Sequence, residues 1–195
     1  MTQSLMQQLL KDAWRELPPA LRKHHQAGPN RDVGWLDLEY PDFMRLPLAF
    51  LNCLGALLNA RGRRLPCRVT RRTVNGIQYW QRRIKLPEGK NLSFDSLWTL
   101  EANGSLTEYI NPFLGLNMRV KTRDGRLLFH GQYLVLKLGR LKFPLPEWLL
   151  GHTTITEEAV DDWHFAMDFR LHHPWLGEIY RYRGTFRTGC PVEPE

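Results

Sequence analysis

Arg82 and Glu108 are the residues of this sequence whose placement most calls for chemistry. In "IQYWQRRIKL" (residues 77–86), the period-two alternation of a β-strand puts Arg82 on the same face as Trp80, Ile84 and Leu86. In "SLTEYI" (105–110) it puts Glu108 with Leu106 and Ile110. A charge on an apolar face is costly unless it is paired, so the economical arrangement has Arg82 and Glu108 meeting. Such a pair is either a structural ion pair within a sheet or a polar spot in a ligand cavity. In the second case the guanidinium can hold a carboxylate or phosphate head group. Trp80, Tyr182 and His130 complete the candidate ligand-binding set. Tyr182 shares a face with Tyr180 and Phe186. His130, in "RLLFHGQYLVLKL", reads as a core histidine or, in an enzyme, as a base working with Arg82 and Glu108.

The other candidate groups carry less. In "FRLHHPWLGEIYRYRGTF" (169–186), His172 and His173 are adjacent on an extended chain and point to opposite faces, so the two hardly bind one ion. A site there would have to recruit His130, His152 or His164. His24 and His25 end a short helical stretch before Gly28-Pro29 and read as exposed. Cys53 lies in an apolar helical stretch and reads as a small hydrophobe. No GxSxG, Walker A loop, GxGxxG or HExxH occurs. No metal and no cofactor is expected.

The elements that must position these residues divide into two parts. Residues 1–60 read as mainly helical. Leu5, Met6, Leu9, Leu10, Ala13, Trp14 and Leu17 share one helical face behind Ser4 as a cap, and Pro18-Pro19 ends it. "VGWLDLEY" (33–40) is a short strand, and "DFMRLPLAFLNCLGALLNA" an apolar helix. Beyond Pro66 the period changes to two. Asn75-Gly76 predicts a two-residue type I′ hairpin, and turn signals at 102–104, 111–112 and 123–125 separate further strands. His173-Pro174 ends one strand, because a residue before proline is held extended. The expected fold is α+β: N-terminal helices packed on a large curved antiparallel sheet over 61–190, a half-barrel or barrel-like meander of about eight or nine strands.

The 195 residues fit a single domain. Three widely spaced cysteines, without a CxxC pair, suit a reducing cytoplasm. The first residues lack the unbroken apolar core of a signal peptide, and "LPLAFLNCLGALL" is too short to span a bilayer. The net charge is +7, with nine bases and no acid between Arg61 and Lys85. That run reads as a solvated strand face. As a functional surface it would meet nucleic acid or anionic membrane. Nucleic acid is disfavoured, since no RNP-like motif or GXXG loop accompanies it.

Several short motifs occur in a familiar order: "YWQRRIKL", "SLTEYINPFLGLNMRV", "LKFPLPEWLLG" and "FAMDFRLHHPWLGEIYRYRGTF". With these the chain resembles, from about Leu17 to Arg187, an uncharacterised bacterial domain family of unknown function. Its members occur alone or fused behind saccharopine-dehydrogenase-like reductase domains. The resemblance implies that Arg82, Glu108, His173-Pro174 and Tyr182-x-Gly184 belong to the common pattern of the domain. It implies no activity, and the missing dinucleotide fingerprint keeps an oxidoreductase label from being carried over. The leading expectation is a non-catalytic module. It would bind a small apolar or amphipathic ligand, or a protein partner such as a reductase-like domain, on the concave sheet face.

Overall fold

The computed structural model describes residues 3–53, 55 and 57–191. The strands form an antiparallel meander: β1 (Asn30–Glu39), β2 (Gly62–Val74), β3 (Ile77–Lys85), β4 (Asn91–Leu100), β5 (Leu106–Tyr109), β6 (Leu114–Arg123) and β7 (Arg126–Leu138). After β8 (Leu141–Leu145) come β9 (His152–Ala159), β10 (His164–His173) and β11 (Gly177–Cys190). Neighbours pair in sequence from β1 to β7, β7 then pairs with β9, and β11 returns to β1. Ten strands therefore close into a barrel, and β8 pairs only with the far half of β7.

This corrects the expected α+β class. The chain is 57% strand and 18% helix, and its sheet is a closed barrel rather than an open half-barrel. The reason lies in β1. It begins three residues before the expected strand and is hydrogen-bonded on both edges, to β2 and to β11. A first strand that meets the last one removes both sheet edges at once.

The helices are short: α1 (Leu5–Leu10), α2 (Pro19–His25) and α3 (Arg45–Cys53). A capping box starts α1, with Gln7 N–H donating to Ser4 Oγ at 3.1 Å and Ser4 N–H to Gln7 Oε1 at 2.7 Å. Pro19 fits the first turn of α2, where its missing N–H costs nothing. The end of α2 enters the barrel. Ala20, Leu21, His24 and His25 are buried, and the two histidine rings lie against Trp80 of β3, Trp98 of β4, Phe129 of β7 and Phe165 of β10. Rings that touch four separate strands stand in the lumen, so α2 is a plug.

Loops of an antiparallel barrel alternate between its two ends. The lower end holds the plug, the Asn75-Gly76 turn and the β9–β10 connection. Asn75 and Gly76 have φ of 51° and 77°, as the expected hairpin requires. The upper end holds residues 40–53, 55, 57–61, 86–90, 110–113, 139–151 and 174–176. The wall turns Arg68, Arg72, Arg83 and Arg119 outward, the reverse of the apolar band on a membrane-spanning barrel. No helix among the described residues is long and apolar enough to cross a membrane.

Closure depends on two glycines. A Cβ on Gly34 would stand 2.0 Å from the Thr185 carbonyl oxygen, and one on Gly184 2.0 Å from that of Trp35. Both contacts are with backbone, which cannot swing aside. Gly184→Ala is expected to destabilise the protein by about 2–3 kcal/mol in urea unfolding, despite the entropy the alanine removes from the unfolded chain. A neutral result would mean that β1 and β11 do not pack this closely.

Candidate functional site

The lumen is where alternation sends the charges. Strand β3 turns Trp80, Arg82 and Ile84 inward, β4 turns Phe94, Ser96 and Trp98, and β5 turns Leu106 and Glu108. The expected pairing of Arg82 with Glu108 is present. Nη2 of Arg82 donates to Glu108 Oε1 at 3.3 Å, and Nη1 to Ser96 Oγ at 2.9 Å. The Ser96 hydroxyl in turn donates to the same carboxylate oxygen at 2.6 Å. The guanidinium also lies 5.7 Å from the Trp80 ring centre and 5.3 Å from that of Phe94. Arg82 is thus largely committed inside the protein.

Tyr182 of β11 stacks on Phe169 with ring centres 4.5 Å apart. Burial pushes its phenol far above the ordinary value against the pull of Arg82, so it stays a protonated donor. Trp80, Arg82, Glu108 and Tyr182 surround one cavity. His130 does not join them. It is exposed on the outer face of β7, opposite Arg119. Both faces of β7 carry apolar residues, but a single-walled barrel has one interior, which Leu127 and Phe129 occupy.

Below this layer lies a second polar cluster that the sequence reading missed. His24 and His25 are 4% and 0% exposed, not solvated at a helix end. Nδ1 of His24 meets Asp32 Oδ2 at 2.8 Å, and Asp32 Oδ1 accepts from Asn30 Nδ2 at 2.8 Å. Nε2 of His25 meets Glu157 Oε2 at 2.6 Å, and Nε2 of His24 stands 3.8 Å from Glu157 Oε1. The rule that singled out Arg82 finds these acids too. Asp32 alternates with Leu36 and Leu38 in β1, and Glu157 with Thr153 and Ile155 in β9. The histidines had a helical signal, since His24 follows Ala20 by four residues.

Burial lowers the pKa of His25 to about 4, against the opposing pull of Glu157. The ring is therefore neutral near pH 7. With its proton on Nε2 it donates to Glu157, and Nδ1 has no partner among the described residues. Burial raises the Glu157 carboxyl, but His25, His24 and Arg82 together outweigh it and hold the group below the ordinary carboxylate range. Arg71, buried beside them, is lowered by desolvation to about 10 and keeps its charge.

His24, His25 and Glu157 offer three ligand atoms within 4.8 Å of one another, the number a catalytic metal centre uses. Asp32 would fix the His24 ring as a carboxylate fixes a ligating histidine. The cations Arg71 and Arg82 oppose a metal there, and a ligating His25 Nε2 would move the ring proton to Nδ1, where no acceptor waits. The cluster is satisfied better as a hydrogen-bonded network.

Three small cavities lie along the lumen among the described residues, and two of them border Glu108. The lower, about 30 Å³, is bounded by His24, Glu157, Trp80, Arg82, Glu108 and Tyr182, and it has room for a water or two. The upper, about 70 Å³, is apolar except for Glu108, Tyr182 and Thr153. Leu116, Leu134, Phe169 and Leu171 form its walls, while Leu57, Ile110 and Leu150 of the upper loops cover it. Glu108 and Tyr182 border both spaces.

The chain belongs to the family described as Domain of unknown function (DUF4166), which matches residues 17–186. No curated protein matches it. Among solved structures it is similar to a candidate thioesterase II from Thermobifida fusca, at 11% identity over 97% of this chain and 88% of that one. The TM-score of that match is 0.27, too low to bear on fold or activity.

Two outcomes test the lumen network. Arg82→Leu strands a buried Glu108 and is expected to cost about 3–5 kcal/mol in denaturant unfolding. A cost under about 0.5 kcal/mol would show the pair to be unimportant. His25 sets a pH dependence. Its pKa falls from 6.5 in the unfolded chain to about 4 in the fold. Its stabilisation is therefore present above pH 6.5 and lost as the pH falls through 4, a total on the order of 3 kcal/mol. His25→Gln should flatten that part of the stability–pH curve; an unchanged slope would assign it to other groups.

Proposed function

We propose that this domain is a non-catalytic binding module that holds a small, mainly apolar molecule with one hydroxyl group in the upper lumen. The observation that carries this reading is the 70 Å³ apolar cavity that ends on Glu108 and Tyr182 and is bounded at its top by Leu57, Ile110 and Leu150 of the upper loops. Tyr182 donates a hydrogen bond and Glu108 accepts one, a combination a hydroxyl satisfies on both sides. Arg82 is spent on Glu108 and Ser96, so a carboxylate head would face Glu108 without a free cation. The resting cavity takes only a few heavy atoms, and a longer chain enters by displacing Leu57 and Leu150.

An enzyme built on Arg82, Glu108 and His130 lacks an assembled site, because His130 is outside the barrel. Nor do the bases of 61–85 form one surface for nucleic acid. Arg71 and Arg82 point inward, while Arg61 and Arg83 pair with Asp42 and Asp95.

The probe is 1-hexanol, followed through tryptophan fluorescence, with hexanoate as the matched acid. Saturable binding of the alcohol, little binding of the acid, and loss of both responses in Leu116→Trp are expected. A titration without saturation, or an undiminished response in the filled variant, would sink the reading.

A further inference from the structure

We infer that the upper end of the barrel docks on an anionic lipid bilayer. Most of the large apolar side chains exposed among the described residues lie in the loops of that one end. Around α3, Leu46 and Phe50 are 83% and 67% exposed. Phe113 stands out from the β5–β6 turn. Trp175 of the β10–β11 turn is 76% exposed, and Trp148, before β9, lies with its ring centre 5.9 Å from it. The β7–β8 hairpin carries Leu138, Leu141 and Phe143 past the closed ring, and β8 is exposed from Leu141 to Pro144. An apolar surface of this kind has a function or a partner.

Charge names the partner. The same loops and strand ends expose Arg45, Arg63, Arg64, Lys85, Lys90 and Arg140. The exposed acids there are Asp42, Glu88 and Glu178, and Asp42 is engaged by Arg61. Apolar tips set among bases, with two tryptophans at the rim, match a bilayer's hydrocarbon, its anionic head groups and its interface. A protein partner adding a strand to the free edge of β8 is a poorer fit, since Lys142 and Pro144 blunt that edge. The rim side chains are not lumen side chains, so docking stands whether or not a molecule enters the cavity.

The experiment is co-sedimentation of the full chain with vesicles of phosphatidylcholine and phosphatidylglycerol in equal parts, beside vesicles of phosphatidylcholine alone. Binding is expected on the mixed vesicles, weaker on the neutral ones and weaker in high salt. Phe50→Asp and Phe143→Asp change exposed positions, leave the fold intact by circular dichroism, and should each weaken binding about tenfold. Arg63→Glu with Lys90→Glu should weaken it on the mixed vesicles alone. Leu116→Trp should bind vesicles like the unaltered protein, which separates docking from lumen binding. Brominated lipid should quench fluorescence that Trp175→Phe reduces. No sedimentation at low salt would overturn the inference. So would rim variants that bind unchanged, or a dimer, broken by Phe50→Asp, that hides the rim from lipid.

Discussion

The pairing of β1 with β11 is the constraint on which the rest depends. Every other ladder except β7–β9 joins strands that are sequence neighbours, and those would form without a closed fold. Closing the first strand on the last gives the sheet one inside and one outside. From then on each strand has a single choice of face, and a polar residue that alternates with apolar ones must enter the lumen. Gly34 and Gly184 let the two backbones come close enough for this.

The lumen's chemistry follows from that enforced burial. Two arginines and three carboxylates are carried inside by strands whose other inward residues are mostly apolar. They arrange themselves in two storeys. Arg82, Ser96 and Glu108 satisfy one another above, and Asp32, His24, His25, Glu157 and Arg71 crowd together below. Between the storeys Trp80 and Trp98 pack with centres 4.8 Å apart, and their indole N–H groups have no partner among the described residues. The upper storey faces an apolar space, and the lower one faces a space the size of a water. On the proposed reading, binding belongs to the upper storey and fold integrity to the lower.

Much of this was legible in the sequence, and the failures are specific. Alternation placed Arg82 and Glu108 on inward faces and paired them, and the Asn75-Gly76 turn was written in its residues. The same alternation in β1 and β9 holds Asp32 and Glu157. They were hidden because each sits beside other polar residues that suggest a turn or a solvated edge. His24 and His25 could not be placed from local sequence, since what buries them is a ring of strands distant along the chain. His130 shows the opposite error: an apolar neighbourhood in one dimension became an outer wall in three. The α+β expectation failed at β1, whose short apparent length concealed a strand paired on both edges.

The plug has a consequence in time. Segment 19–25 precedes every strand in sequence, but its seat is made by strands as late as β10 and β11. The histidines must therefore remain hydrated until the strands that bury them have assembled. Closure by the most distant pair of strands also makes folding slow for the chain's size, because the longest loop must be closed before the barrel gains its interior. In this protein the interior is the last thing folding completes, and the residues that floor it precede every strand that walls it.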